Sequence, residues 1–257
     1  MDEGVTVALT HRAAGTPAGA PLAAEAVRDA VEAGHARLRA LLPGLTDAAV
    51  RAPSALPGWS RAHVLAHIEG IGRAMARQAR YALRGELIEP YDGGFPARTA
   101  AIEEGARRDA AALRTAVGDA LAEASAAWAA VGPGDWSRPV RYRDGALRDA
   151  LLAWWRELVI HTSDADLGHG TDRWPPELCH HLLAHLAPRA PEGVRLVLEP
   201  AGEAAALRYG PTDAPVVTVR GPLTALAAWL AGRAPHTPLG CVRAGVTGPL
   251  PELRPWP

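Results

Sequence analysis

The sequence predicts an α+β protein, a four-helix bundle followed by a small α+β domain. In the first part of the chain, apolar residues recur every three or four positions over long stretches, which is the period of amphipathic helices. In the last third, short runs rich in β-branched residues are bounded by glycine and proline, which is typical of strands. We predict the bundle over residues 21–171 and the second domain over residues 172–257. We interpret the Gly-, Ala- and Pro-rich residues 1–20 as a flexible tail.

Four stretches carry the helical period, and we predict them as the bundle helices: residues 21–42, 61–83, 98–131 and 146–167. Pro43-Gly44 ends the first helix, and Ser60 can cap the start of the second. A glycine- and proline-rich loop over residues 85–97 separates the second helix from the third. A short extended segment over residues 138–143 precedes the fourth.

The second domain is predicted to begin with a helix over residues 175–187. Three strands and a further helix follow it: residues 194–198, 205–209 and 216–220, then the helix over 223–232.

Composition excludes several classes of protein. With 27 basic and 28 acidic residues the net charge is −1, so the chain lacks the basic excess of a nucleic-acid-binding protein. No apolar run reaches the roughly 18 residues of a membrane span, and the N-terminus has no signal-peptide pattern, so we expect a cytoplasmic protein. The two cysteines, Cys179 and Cys241, form no CxxC motif, and we interpret both as buried packing residues.

Histidine and glutamate at helical spacing suggest a metal site. Glu157 and His161 lie four residues apart on the fourth helix, and His63 and His67 lie four apart on the second. Adjacent bundle helices can combine such residues into a site with two histidines, one carboxylate and open coordination positions. Such pairs are also common on solvated helices. However, Glu157 lies in an apolar and aromatic stretch, where an unpaired carboxylate is costly to bury.

A second group of histidines, His180, His181 and His185, also falls on one predicted helix. Only Glu177 accompanies it at fitting spacing, so we interpret these histidines as surface or packing residues.

Three segments carry a resemblance to a known family. LPGWSRAHVLAHIEGIGRAM (residues 56–75) and RELVIHTSDADLG (156–168) resemble the two bundle signatures of the mycothiol-dependent maleylpyruvate isomerase family, a branch of the DinB-like four-helix bundles. VVTVRGPLTALAAWLAGR (216–233) resembles the strand and helix of that family's small domain. The resemblance covers most of residues 20–240 in the same order.

The resemblance implies a metal, zinc, held by His67, Glu157 and His161, with His63 outside the ligand position. It also implies that Arg233 of the small domain reaches the active site as a catalytic residue. One of Asp164 and Asp166 is expected to support a metal-bound imidazole. Iron, nickel or manganese would also suit two histidines and a glutamate.

The activity that the resemblance implies uses mycothiol, a cysteine-containing thiol of actinobacteria. A free thiol has a pKa near 8.5, and coordination to a metal deprotonates it. In the isomerase reaction the thiolate adds to the cis double bond of maleylpyruvate, the new single bond rotates, and elimination gives fumarylpyruvate. Arg233 would hold a substrate carboxylate. The expected partners are this small-molecule substrate and mycothiol, with no nucleic acid and no membrane, and we expect a monomer.

Two alternatives remain open. A mycothiol S-transferase would use the same activated thiol to attack an electrophile in detoxification or natural-product biosynthesis, and a third possibility is a non-enzymatic metal-binding protein. A cationic pocket would favour the dianionic maleylpyruvate, and the sequence offers Arg98, Arg143, Arg156 and Arg233 for it. A pocket lined by tryptophans, of which the chain has eight, would favour an electrophile with a large apolar body.

Overall fold

The structure, a computed structural model, describes residues 22–257, so the predicted tail over residues 1–20 lies outside the described residues. The helices are α1 (Ala24–Leu41), α2 (Asp47–Arg51), α3 (Arg61–Leu83), α4 (Gly94–Gly105), α5 (Ala110–Ala129), α6 (Leu147–Asp164), α7 (Pro176–His185) and α8 (Leu223–Leu230). The strands are β1 (Arg195–Pro200), β2 (Leu207–Tyr209), β3 (Val216–Gly221), β4 (Gly240–Arg243) and β5 (Val246–Thr247). A helical N-terminal part followed by a small domain with a sheet confirms the predicted α+β class. The boundary between residues 171 and 172 stays a prediction.

The helical part is built around α3. This helix packs against both α5 and α6, and α1 completes the bundle by packing against α6. Helix α3 begins at the predicted residue because the Ser60 side chain accepts a hydrogen bond from the backbone N–H of His63, while Nδ1 of His63 accepts one from the backbone N–H of Ser60. His63, expected to lie outside the ligand position, thus caps the start of α3.

The predicted third helix, over residues 98–131, is wrong as one element. It is two helices, α4 and α5, that are separated around residues 106–109. Asp109 caps α5 by accepting a hydrogen bond from the N–H of Ala112 at 2.7 Å. Arg51 binds the carbonyl groups that follow α4, including Arg107 O at 2.8 Å. After this break α4 packs against α3 rather than continuing into α5 as one straight helix.

Two other segments differ from prediction. The segment over 138–143 is not a strand, since it makes one isolated bridge, from Pro139 to Ala146, and then a 3₁₀ turn over Tyr142–Asp144. In this turn Arg143 and Asp144 have φ values of 53° and 48°, which non-glycine residues adopt at a cost. The predicted connector before α3 contains the short helix α2.

The sheet has five strands in the order β2-β1-β3-β4-β5, where the sequence predicted three. Strands β1 and β3 pair in parallel, with Val197 opposite Thr218, and the other pairs are antiparallel. The sequence analysis did not predict β4 and β5, because both strands are short and contain few apolar residues. Helix α8 packs on α7 and against strands β1 and β3, which holds the second domain together. Among the helices of residues 22–257, none is both long and apolar enough to span a membrane.

A buried polar network fixes α6 in the bundle. Trp154 on α6 donates its indole N–H to Nε2 of His35 on α1 at 3.0 Å, and Nδ1 of His35 contacts Ser125 Oγ on α5 at 2.8 Å. On the opposite side, Gly72 of α3 lies so close to the Trp154 ring that a Cβ there would meet it at 3.0 Å. This packing sets the rotation of α6 against α3, so Glu157 and His161, about one and two turns after Trp154, face α3.

Candidate metal centre and its cavity

Three of the predicted site residues come together between α3 and α6. His67 on α3 and the Glu157/His161 pair on α6 each offer one ligand atom, and these atoms all lie within 4.8 Å of one another. Oε2 of Glu157 is 3.0 Å from Nε2 of His67 and 3.2 Å from Nε2 of His161. In the described part of the chain, this is the one group of three such residues with metal-binding geometry, so the histidines of α7 do not form a second one.

The pKa shifts of the three residues reflect their contacts with one another and their burial. Burial alone would raise the pKa of Glu157, but hydrogen bonds with His161 and His67 outweigh it and hold the pKa far below its ordinary value. Burial lowers the pKa of His67, which keeps that ring neutral. Burial also acts to lower the pKa of His161, but its contacts with Asp164 and Glu157 outweigh burial and raise it. A divalent ion would replace the protons that these three groups share.

The donor set therefore fits a divalent metal. Two imidazole nitrogens and one carboxylate oxygen lie within 4.8 Å of one another, and a tetrahedral ion held by these three atoms would keep a coordination position free. This is the arrangement of catalytic zinc sites rather than of closed structural ones.

Asp164 supports His161 from behind. Its Oδ2 lies 2.8 Å from Nδ1 of His161, somewhat off the line of an ideal hydrogen bond, and its side chain is 1% exposed. Arg233 forms a two-point ion pair with Asp164, in which Nε donates to Oδ1 at 3.1 Å and Nη2 donates to Oδ2 at 2.7 Å. Such a carboxylate keeps the imidazole proton on Nδ1 and leaves Nε2 to face a metal. Asp166, the other aspartate considered, pairs instead with Arg61 at 2.8 Å.

Arg98 makes the opposite kind of contact with His67. Its Nη2 lies 3.0 Å from Nδ1 of His67. A guanidinium carries donors alone, so Nδ1 must be the accepting nitrogen, and the ring proton lies on Nε2 beside Glu157. A metal bound through Nε2 requires the other tautomer, whose Nδ1–H would point at the Arg98 cation. The Arg98 contact and metal ligation by His67 therefore exclude each other.

We expect Arg98→Met to tighten zinc binding up to about tenfold, because it removes one hydrogen bond, on the order of 1 kcal/mol, that competes with ligation. The measurement is a zinc titration in competition with a chromophoric chelator. Arg77→Met is the control, since Arg77 pairs with the exposed Asp92 on the same side of the molecule. Unchanged or weaker zinc binding in Arg98→Met would contradict this reading of the contact.

A cavity of about 170 Å³ opens beside Glu157 and His161. Its lining is mostly cationic or aromatic: Tyr142, Arg143, Arg156, Ile160, His185, Arg233 and Trp256. Of the four arginines that the sequence offered for a cationic pocket, three line this cavity, and Arg98 lies instead against His67. Of the eight tryptophans, Trp256 alone lines it, while Trp154 and Trp155 are buried in the core.

Sequence reasoning missed four residues of this cavity: Tyr142, Ile160, His185 and Trp256. His185 lies one turn after His181, and both had been interpreted as surface or packing residues. The Trp256 ring lies 5.9 Å from the Arg233 guanidinium and 5.7 Å from that of Arg189, and no sequence pattern announces this placement. His180 pairs with Glu203 at 3.0 Å, away from the cavity.

Comparisons of the sequence and of the structure with known proteins give the same family for both parts of the chain. A family model described as the mycothiol maleylpyruvate isomerase N-terminal domain matches residues 31–166, and one described as the MDMPI C-terminal domain matches residues 173–255. A crystal structure of the mycothiol-dependent maleylpyruvate isomerase is similar at 25% identity and a TM-score of 0.79, over 91% of this chain and 98% of that one. A histidine-to-alanine mutant of that isomerase is similar at 25% identity and a TM-score of 0.78, with the same coverage. No curated protein matches the sequence significantly.

Proposed function

Because the chain belongs to the mycothiol maleylpyruvate isomerase family, we propose that it is a metal- and mycothiol-dependent cis–trans isomerase acting on maleylpyruvate or a closely related dianion. The observation that carries this proposal is the His67–Glu157–His161 group, which opens into a cavity lined by three arginines. The three residues would hold the metal, for which zinc is our choice. Bound there, zinc lowers the pKa of a coordinating thiol enough to ionise it at neutral pH.

The cysteines support an external thiol. Cys179 and Cys241 are both buried, and burial raises the pKa of Cys179 to about 12. A buried thiol with such a pKa supplies almost no thiolate at neutral pH. Neither cysteine lines the cavity beside Glu157 and His161, so we infer that the nucleophilic thiol comes from outside the chain.

Other residues of the chain shape the reaction. Asp164 holds the imidazole of His161 in the ligating tautomer, and Arg233 holds Asp164. The positive charge of the cavity attracts an anionic substrate and favours the enolate that forms when a thiolate adds to a carbonyl-conjugated double bond. We propose that Arg233 acts in catalysis from this position, at the border between the metal ligands and the cavity.

The lining of the cavity favours the isomerase over the S-transferase. A dianionic substrate gains from three arginines, whereas a large apolar electrophile would gain from tryptophans, of which the cavity has one. The cytoplasmic location and the monomeric state remain predictions.

The test is a thiol-dependence assay on the zinc-loaded protein. Maleylpyruvate and mycothiol are mixed with enzyme, and fumarylpyruvate and free thiol are measured together. We expect fumarylpyruvate to form with the thiol unconsumed and no product without mycothiol. Loss of free thiol with an accumulating adduct would identify a transferase instead, and no turnover by protein that holds zinc would contradict the isomerase.

A further inference from the structure

Arg156 makes no ion pair with a carboxylate side chain in residues 22–257, although it lies next to the metal centre. Arg233 is neutralised by Asp164, and Arg98 contacts His67. The guanidinium of Arg156 has no carboxylate within 4.0 Å in residues 22–257, although the residue is half-buried. A cation withdrawn from water without a counter-charge is costly unless a ligand supplies one.

His181 seats Arg156 at the cavity wall. In residues 22–257 the Arg156 guanidinium makes one side-chain hydrogen bond, which Nη1 donates to Nε2 of His181 on α7 at 2.9 Å. Burial, and then the charge of Arg156, lower the pKa of His181 to about 3, so the ring is neutral and accepts this hydrogen bond. The ring is held by stacking on both sides, with centroids 5.7 Å from Trp155 and 5.8 Å from His185. The α7 histidines thus orient an arginine without neutralising it.

Arg143 approaches the same cavity from the other side. It lies in the turn whose left-handed φ of 53° is unusual for a side-chain-bearing residue. Nη1 of Arg143 makes a long hydrogen bond, 3.3 Å, to the backbone oxygen of Pro257, and its guanidinium lies 5.9 Å from the centroid of the Tyr142 ring. Two guanidinium groups with unused donors therefore face a small cavity next to Glu157, and planar guanidinium groups match carboxylates in two-point hydrogen bonds.

We propose that Arg156, positioned by His181, is the residue that binds a carboxylate of the substrate, with Arg143 as the second contact. This goes one step beyond the proposed function, on which it rests, because it assigns the carboxylate to α6 rather than to Arg233. The ligand class is a small dicarboxylate. The reactive double bond of such a substrate would then lie between these two arginines and the ligands Glu157 and His161, which border the same cavity.

The test uses succinate, a dicarboxylate without a double bond, so that binding is measured without mycothiol and without turnover. Titration calorimetry on zinc-loaded protein is expected to show binding that weakens at least tenfold in Arg156→Gln and less in Arg156→Lys, with zinc content unchanged. Arg148→Gln, on the same helix, is the charge-matched control, since Arg148 binds the backbone oxygen of Leu22. Absence of succinate binding to the wild-type protein, or equal binding in Arg156→Gln, would overturn the proposal.

His181 is tested as a positioning residue. His181→Leu removes the acceptor and should raise the KM for maleylpyruvate several-fold with a smaller change in kcat, whereas His181→Gln keeps an acceptor oxygen and should restore KM. His180→Gln, one residue earlier, should leave both constants unchanged. Equal loss of kcat in His181→Leu and His181→Gln would overturn the positioning role.

The two proposals fail separately. Succinate binding that depends on Arg156, in a protein that does not isomerise maleylpyruvate, would retain the carboxylate site and remove the function. Turnover of maleylpyruvate with an unchanged KM in Arg156→Gln would remove the site and retain the function.

Discussion

Glu157→Gln is expected to remove metal binding and turnover together. Glu157 is the one carboxylate of the three-residue group, and its Oε2 is the atom that both histidines approach. The amide is a poor metal ligand and carries no charge, so the affinity for zinc should fall by roughly 100-fold or more. Activity should fall by at least the same factor, because in the proposed reaction the metal supplies the ionised thiol.

The measurement is zinc content by mass spectrometry together with thermal unfolding. Zinc binds the folded state, so it should raise the Tm of the wild-type protein and leave that of Glu157→Gln unchanged. Glu103→Gln is the matched control, since Glu103 is exposed and lies 3.5 Å from Nε2 of the capping residue His63. Full zinc occupancy in purified Glu157→Gln would remove Glu157 from the ligand set.

The sequence predicts best those parts of this fold that depend on neighbours along the chain. The start of α3 follows from Ser60, and the pairing of Glu157 with His161 follows from one turn of helix. That His67 faces this pair was drawn from the bundle architecture and the family resemblance, and the structure places it within hydrogen-bonding distance.

The parts that could not be predicted depend on contacts distant in sequence. Asp109, which caps α5, is a local sequence signal for the break between α4 and α5. The carbonyl groups that follow α4 are bound by Arg51, which lies more than fifty residues earlier in the chain. The ion pair between Arg233 and Asp164 joins residues that are 69 positions apart in the sequence. The bond between Arg156 and His181 joins a signature segment to histidines that sequence reasoning set aside. Neither pair can be recognised without knowing how α7 and α8 pack against the bundle.

Asp164→Asn is expected to have the second largest effect, because this one carboxylate links His161 to Arg233 of the sheet domain. Asparagine keeps the volume but loses the charge, so the Arg233 guanidinium keeps at best one weak contact and His161 loses its anionic partner. Loss of such support typically costs about 10- to 100-fold in metal affinity or rate. We also expect a loss of about 1–3 kcal/mol in the free energy of unfolding, since Asp164 is buried and Arg233 is partly exposed.

Asp166→Asn makes the same change two residues later and serves as the control. Asp166 is exposed and pairs with Arg61, so stability should stay within about 0.5 kcal/mol of wild type and zinc affinity should not change. A double-mutant cycle with Arg233→Gln separates the two roles of Asp164. Asp164→Asn and Arg233→Gln each break the same ion pair. The free energy of unfolding of the double variant should therefore be close to that of the less stable single variant. Additive losses would show that Asp164 and Arg233 act independently, and Arg233 would then be free to bind substrate in place of Arg156.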